Sequence, residues 1–345
     1  MTVASKLEPV LSRLFDGAPP VRIRAWDGSE TGPSEGPVLV LRSRRALRRV
    51  LWSPGELGLA RAYVSGDLDV EGDLTDGLRA LWAALPSPPR VPWVRAALLA
   101  VRLGAPPRPE TSRDHAAVAH RDNVPVAFYE LLDESMACSC AYFDDDDLAR
   151  AQRAKLGVEV TGITLSEEQA AYARDRAKGL PVEIRVQDHR ETDDGPYDAV
   201  ASIEMAGHDG AAGYPVFAAK LFSLVRPGGS VVIQQLSRPA GAPPGGATFV
   251  ETSVAPGTHL RPIAETVELL HAAGLEVQRL QDLREDYVRT AEAWSRNLEA
   301  RWDDAVKLLG EEDTRLWSLS LASRALAFER EQMGVDQIHA VRPED

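Results

Sequence analysis

Residues 135–169, SMACSCAYFDDDDLARAQRAKLGVEVTGITLSEEQ, constrain this chain more than any other stretch. A polar helix over Asp147–Leu156 runs without a spacer into an apolar strand over Val158–Ile163. Gly157 breaks the helix, and the branched residues Val158, Val160 and Ile163 start a buried strand. Thr164-Leu165-Ser166-Glu167-Glu168-Gln169 then opens a second helix, with Ser166 as N-cap and Gln169 as the reciprocal partner of a capping box. A strand that enters a helix through a short polar loop is half of a nucleotide-binding βαβ unit.

The alternation continues toward the C-terminus. Helix Glu167–Lys178 leads to strand Val182–Val186, and Tyr197–Met205 is another apolar strand. Helix Tyr214–Val225 stops at Arg226-Pro227-Gly228-Gly229 before strand Ser230–Leu236. Ile263–Ala273 reads as an amphipathic helix and Leu275–Gln278 as a strand; two long helices, Ala291–Leu309 and Glu312–Gln332, precede a last strand, Gly334–Val341, expected to run antiparallel near the sheet's edge. Strands alternating with helices define an α/β domain. In an open α/β sheet ligands bind at the carboxyl ends of strands, so Asp188, with His189 beside it, is a ligand-binding candidate. A surface-turn aspartate is the plain alternative.

Residues 1–85 read as a separate small α+β unit, residues 86–109 as a proline-rich linker, and 110–345 as the larger domain. Val21–Trp26 alternates apolar and basic residues as a half-buried strand does, and Val38–Leu41 returns beside it. Helix Arg44–Trp52 carries Arg44, Arg45, Arg48 and Arg49, which is either a patch for anionic lipid headgroups or a solvated face. Carboxylates over 62–74 lack the spacing of a calcium-binding EF-hand loop, and no metal site is expected. Within the linker, Trp93–Leu103 suits an interfacial helix or one packed between domains.

A net charge of −13 argues against general nucleic-acid binding, which needs a basic footprint. Two cysteines, Cys138 and Cys140, make no disulfide scaffold, and a reducing cytoplasm suits them. The opening MTVASKLEPVLSRLF reads as a helix and not as a signal peptide, and no apolar run reaches the roughly 20 residues of a membrane span.

Ser139–Phe143 (SCAYF), Ala151–Leu156 (AQRAKL) and Gly157–Gln169 (GVEVTGITLSEEQ) together resemble the cyclopropane-fatty-acid synthase family. Those enzymes use S-adenosylmethionine to methylate or methylenate the double bond of lipid-bound acyl chains. The resemblance implies a class I methyltransferase-like, Rossmann-like sheet. In the family a strand and a D-x-G-x-G-x-G loop separate the AQRAKL helix from the GVEVTG strand. Here Leu156 abuts Gly157, so about 30 residues, one βα unit, are missing and the sheet should lack a central strand. The family's cofactor-clasping motifs match at Phe128, Tyr129, Ser139 and Cys140, but their two tyrosines are Asp122 and Cys138 here.

By the same resemblance, Ser139, Thr164, Ser166, Gln169, Asp188 and His189 hold the cofactor, and Cys140, His208 and Tyr287 surround the base. That base would be a bicarbonate ion, which the family holds with a glutamate placed before the histidine of S-x-E-M-x-E-H-x-G. Here that position is Gly207, which offers no side-chain acceptor; His208 or Asp209 would have to substitute. Residues 238–248 are a candidate lid, Phe249–Pro262 resembles the acyl-site segment, and the helices from Ala291 onward resemble the region that walls the acyl cavity.

Two functions follow. The first is methyl or methylene transfer to unsaturated phospholipid acyl chains, by a cytoplasmic protein peripheral to the inner membrane surface and able to form a homo-oligomer. The second is an impaired relative that binds lipid or a partner subunit. Loss of the glycine loop, of the tyrosines and of the glutamate separates the two.

Overall fold

Val160–Thr164 pairs in parallel with Val182–Val186, Thr164 lying opposite Val186, to form a two-stranded sheet. This computed structural model describes residues 2–14, 17–52, 56–84, 124–133, 160–207, 210–241 and 259–344. The expected helix over 147–156, the linker and its helix, Asp122, both cysteines, Ser139, His208, Asp209 and the lid from residue 242 lie outside the described residues. The chain divides into two compact units, whose boundaries fall near residues 298 and 326 as well as between 84 and 124.

The first unit takes residues 2–84 and Leu298–Leu326. Its elements are α1 (Val3–Leu14), β1 (Arg22–Arg24), β2 (Glu30–Thr31), β3 (Val38–Leu41), α2 (Arg44–Trp52), α3 (Glu56–Val64), β4 (Leu68–Glu71) and α4 (Leu74–Ala84). The strands form one sheet in the order β2-β1-β3-β4, with β1 and β3 parallel and the outer pairs antiparallel. Alternation puts Ile23, Leu39 and Leu41 on the core face, where they meet Ala46 and Leu47 of α2 and Ala60, Tyr63 and Val64 of α3. Leu316, Leu319 and Ala322 join the same core from a helix more than two hundred residues away in sequence. Each leucine, isoleucine or valine among them contributes roughly 1.5–3 kcal/mol through burial.

The second unit holds α5 (Val126–Leu132), β5 (Val160–Thr164), α6 (Glu167–Arg176), β6 (Val182–Val186), a 3₁₀ turn (His189–Glu191), β7 (Tyr197–Ile203), α7 (Gly210–Leu224), β8 (Val225–Ser237), α8 (Ile263–Ala272), β9 (Glu276–Asp282) and α9 (Arg284–Ala300), continuing past the boundary. After α10 (Trp302–Leu309) and α11 (Glu311–Glu329), β10 (Gly334–Val341) ends it. Its larger sheet has the order β7-β8-β10-β9. β7 and β8 are parallel, and β10 is antiparallel to both β8 and β9. The last strand is thus antiparallel as expected but interior, with β9 at the edge. Ile338 and Ala340 explain the position: both are fully buried beside Val231 and Ile233. The expected helix Ala291–Leu309 is also two helices, because Arg301, at φ −121° and ψ 30°, leaves helical geometry between α9 and α10.

The described strands of this unit form two separate sheets. Among the described residues no strand pairs with both β5 and β7. Facing side chains tie the two parts together instead. Arg185 of β6 donates to Asp194 at 2.6 Å, and Asp194 accepts the Tyr197 hydroxyl at 2.6 Å, while Tyr197 also bonds Thr161 of β5. The cost is exposure: Val160 and Ile203 remain 43% and 40% accessible. Parallel strands are ordinarily covered on both faces.

β8 begins earlier than the stop signal at Pro227-Gly228-Gly229 suggests, because Val225 already pairs with Tyr197. The register then shifts, and Ala199 meets Ser230. Gly228 takes φ +70°, and a Cβ on Gly229 would lie 2.6 Å from Val225 Cγ2 and 2.8 Å from the Asp198 carbonyl. Glycine is required here for backbone approach.

Candidate active site at the strand carboxyl ends

Four of the predicted cofactor residues gather where β5 and β6 end. Thr164 closes β5, and its carbonyl accepts the Gln187 N–H at 3.0 Å, which ties the two strand exits together. Ser166 caps α6 by accepting the Gln169 N–H at 3.2 Å. The capping box is not reciprocal, however. The Gln169 side chain turns away and accepts the Thr164 hydroxyl at 3.0 Å, while Thr164 Oγ1 accepts the Ser166 N–H at 3.2 Å. A threonine two residues before the cap competes for both partners, which the capping-box pattern alone does not reveal.

Asp188 leaves the end of β6 and caps the 3₁₀ turn. Its Oδ1 accepts the Arg190 N–H at 2.9 Å and Nε at 2.8 Å, and its Oδ2 accepts Nη2 at 2.5 Å. Those bonds, chiefly the guanidinium's, hold the carboxyl well below the usual carboxylate range. An ionised carboxylate has about four acceptor positions. Arg190 occupies three, so one remains for a ligand donor. His189 is the fifth neighbour: its largely buried ring stands edge-on to Phe217 of α7, with centroids 5.8 Å apart.

Phe217 continues the row to Tyr214, at 5.3 Å, and the Arg261 guanidinium lies 4.0 Å above the Tyr214 ring. The Tyr214 hydroxyl donates to Gln235 Oε1 at 2.9 Å, and Gln235 Nε2 donates to Thr266 at 3.0 Å. Burial pushes the Tyr214 phenol far above its ordinary value. This buried polar network was not foreseen; a basic residue next to Pro262, ahead of an apolar helix, was its only sequence signal.

Tyr287 stands in a different setting. It is 2% exposed on α9, and its ring lies 4.4 Å from Phe328 and 6.2 Å from Trp294, inside an aromatic cluster. Ser139, Cys140 and His208, its predicted neighbours, lie outside the described residues.

At the other strand end, sequence reasoning missed His259. Its backbone N–H donates to the Gly207 carbonyl at 2.9 Å, fifty-two positions earlier. Gly207 ends the β7 motif at the place where the family pattern has its glutamate. No local signal links the two, and only the return of the chain before α8 brings them together. The neck of that return is closed by the Arg238 N–H, which donates to the Arg261 carbonyl at 3.2 Å. Among the described residues no group of three or more His, Cys, Asp or Glu side chains is placed to hold a metal, and no helix is long and apolar enough to cross a membrane.

An α/β sheet with polar groups converging at adjacent strand exits defines a class I methyltransferase-like protein. The solved structure of mycolic acid cyclopropane synthase CmaA1, complexed with SAH and CTAB, shares this fold with a TM-score of 0.58 at 24% identity, covering 66% of this chain and 97% of that one. Residues 151–338 match the family model described as mycolic acid cyclopropane synthetase, and the chain belongs to that family of S-adenosylmethionine-dependent methyltransferases. A probable fatty acid methyltransferase of Pseudomonas putida is 31% identical over 391 residues, covering 98% of this chain and 95% of the relative. A second, from Mycobacterium tuberculosis, is 29% identical over 394 residues, covering 94% and 92%. Both alignments are longer than the 345-residue chain, so they open gaps in it.

Polar groups of the kind a nucleoside can meet stand at the two joined strand exits: the Gln169 side chain, held by the Thr164 hydroxyl, and the acceptor position that Asp188 keeps. The sequence contains no D-x-G-x-G-x-G run to add a backbone cradle.

Proposed function

We propose that this chain transfers a methyl group to the double bond of an unsaturated acyl chain carried on phospholipid, and that loss of a proton completes a cyclopropane ring or a methylene branch. The observation that carries this reading is the convergence of Thr164, Gln169 and Asp188 at the carboxyl ends of β5 and β6, in a member of this family. Ser139, Thr164, Ser166, Gln169, Asp188 and His189 would hold S-adenosylmethionine, which supplies an electrophilic methyl group when bound. Asp188, kept ionised by Arg190, offers its remaining lone pair to an amine or hydroxyl of the adenosine.

The second half of the reaction needs a proton acceptor near Gly207. We assign it to an imidazole, from His208 or from His259, whose backbone is bonded to Gly207. A neutral imidazole takes a proton near physiological pH. Bicarbonate bound beside Cys140 and Tyr287, the base that the family resemblance implies, is the alternative acceptor. The protein would work peripherally at the cytoplasmic membrane surface, where its substrate lies.

Calorimetric titration with S-adenosylmethionine and S-adenosylhomocysteine tests the cofactor site. Micromolar binding, about −8 kcal/mol, supports it. Mass spectrometry of unsaturated phospholipid after incubation then tests transfer, through the gain of one CH₂. Folded protein that gives no binding heat and no altered lipid would overturn the reading.

A further inference from the structure

Helix α2 has the sequence RRALRRVLW, which contains no acidic residue. Ala46 and Leu47 are buried in the core of the first unit and fix which side of the helix faces inward. Of its four arginines, Arg44 and Arg45 are exposed and Arg48 and Arg49 half-buried on the rest of the helix. Asp67, nearly buried, receives two of them: Arg45 at 3.2 Å and Arg49 at 3.4 Å. The same carboxylate also accepts the Ser43 and Ser65 hydroxyls at 2.8 and 3.2 Å, so its acceptor positions are filled. Asp69, the next acid, is taken by Arg42 and Arg315. Arg44 and Arg48, one turn apart, have no ion pair among the described residues.

This distribution works against the helix itself. Arg44 and Arg45 stand in the first turn, where the helix dipole favours acids and repels cations. Four arginines on one short helix also repel each other, in a chain whose net charge is −13. One carboxylate, Asp67 just ahead of β4, holds Arg45 and Arg49 in place without neutralising the face.

We propose that the arginine face of α2 is the surface on which this chain meets the anionic phospholipid headgroups of a bilayer. Guanidinium groups match phosphate oxygens in a bidentate fork. A bilayer is favoured over nucleic acid because the positive charge is confined to one nine-residue helix, which can meet a flat field of headgroups but gives a long polyanion no basic track to follow. The inference deepens the function proposed above, since it names the surface that would bring the enzyme to a lipid substrate.

Each arginine near an anionic surface changes partitioning about five-fold. Sedimentation of the full chain with vesicles of one-third phosphatidylglycerol and two-thirds phosphatidylcholine is the test. Arg44→Gln with Arg48→Gln should lower partitioning about 25-fold at 0.1 M salt, and the wild-type binding should fade at 0.5 M. Lys178→Gln with Lys307→Gln, which removes the same charge from two exposed lysines, should leave it unchanged. Equal thermal unfolding of all three proteins shows that the folds are intact. Wild-type-like binding by the arginine variant overturns the proposal, as does equal binding to pure phosphatidylcholine vesicles. Tighter binding to duplex DNA than to vesicles overturns it as well. Methyl transfer to acyl substrate in neutral detergent micelles separates the two ideas: its absence counts against the enzymatic reading and leaves the vesicle result standing.

Discussion

The backbone N–H of His259 donates to the carbonyl of Gly207 over 2.9 Å, and this bond places an imidazole-bearing residue beside the position that lacks the family's glutamate. His259→Gln keeps the backbone bond and removes the proton acceptor. General-base catalysis is worth 10²–10⁴-fold, so turnover should fall about 100-fold while binding of S-adenosylhomocysteine stays the same. The acidic limb of the rate-against-pH profile should flatten in the variant. Unchanged turnover would return the role to His208 or to bicarbonate.

Asp188→Asn tests the other end of the site. The variant keeps the shape but loses the charge that Arg190 stabilises, and S-adenosylhomocysteine binding measured by calorimetry should weaken about ten-fold. The pH dependence has a definite sign. The folded-state carboxyl is depressed below its unfolded value, so its contribution to stability is present above about pH 4 and is lost as pH falls through the folded value. Wild type should therefore unfold at a higher temperature than Asp188→Asn at pH 7, and the difference should shrink below pH 4.

Arg315 is the most committed charge of the first unit. It is 5% exposed, and its guanidinium donates to the carbonyls of Tyr63 at 2.6 Å and Leu68 at 2.9 Å and to Asp69 at 3.1 Å. It also stacks 4.2 Å above the Tyr63 ring. Arg315→Ala strands those acceptors and should cost about 3–5 kcal/mol in urea unfolding. Arg315→Lys, which lacks the fork, should recover only part of that loss.

Gly229→Ala probes the start of β8. The added methyl would overlap Val225 Cγ2 and two carbonyl oxygens, all within 2.9 Å. Overpacking of this kind costs about 1–3 kcal/mol, which a lowered urea midpoint would register. A neutral result would mean that the β7–β8 register shift relaxes freely.

The residues themselves determined much of this protein. Alternation in Val21–Trp26 and Val182–Val186, and the apolar residues of Val38–Leu41 and Tyr197–Ile203, specified strands, because side-chain period and burial are local properties. The junction at Leu156–Gly157 led to the expectation of a sheet without one strand; the described strands of the second unit fall into a pair and a foursome, and the junction itself lies outside the described residues. Ser166 and Asp188 were legible as caps at strand exits because capping depends on near neighbours.

Tertiary structure decided the rest. Thr164 drew the Gln169 side chain away from Ser166 because hydrogen bonds compete in space. β10 went to the interior, where its backbone pairs with both β8 and β9 while Ile338 and Ala340 bury one shared face. His259 reached Gly207, and Arg315 reached Tyr63 and Leu68, across 52 and about 250 residues. Contacts at such separations carry no periodicity in sequence. They exist only once the chain has closed its loops and the buried polar groups have had to find partners.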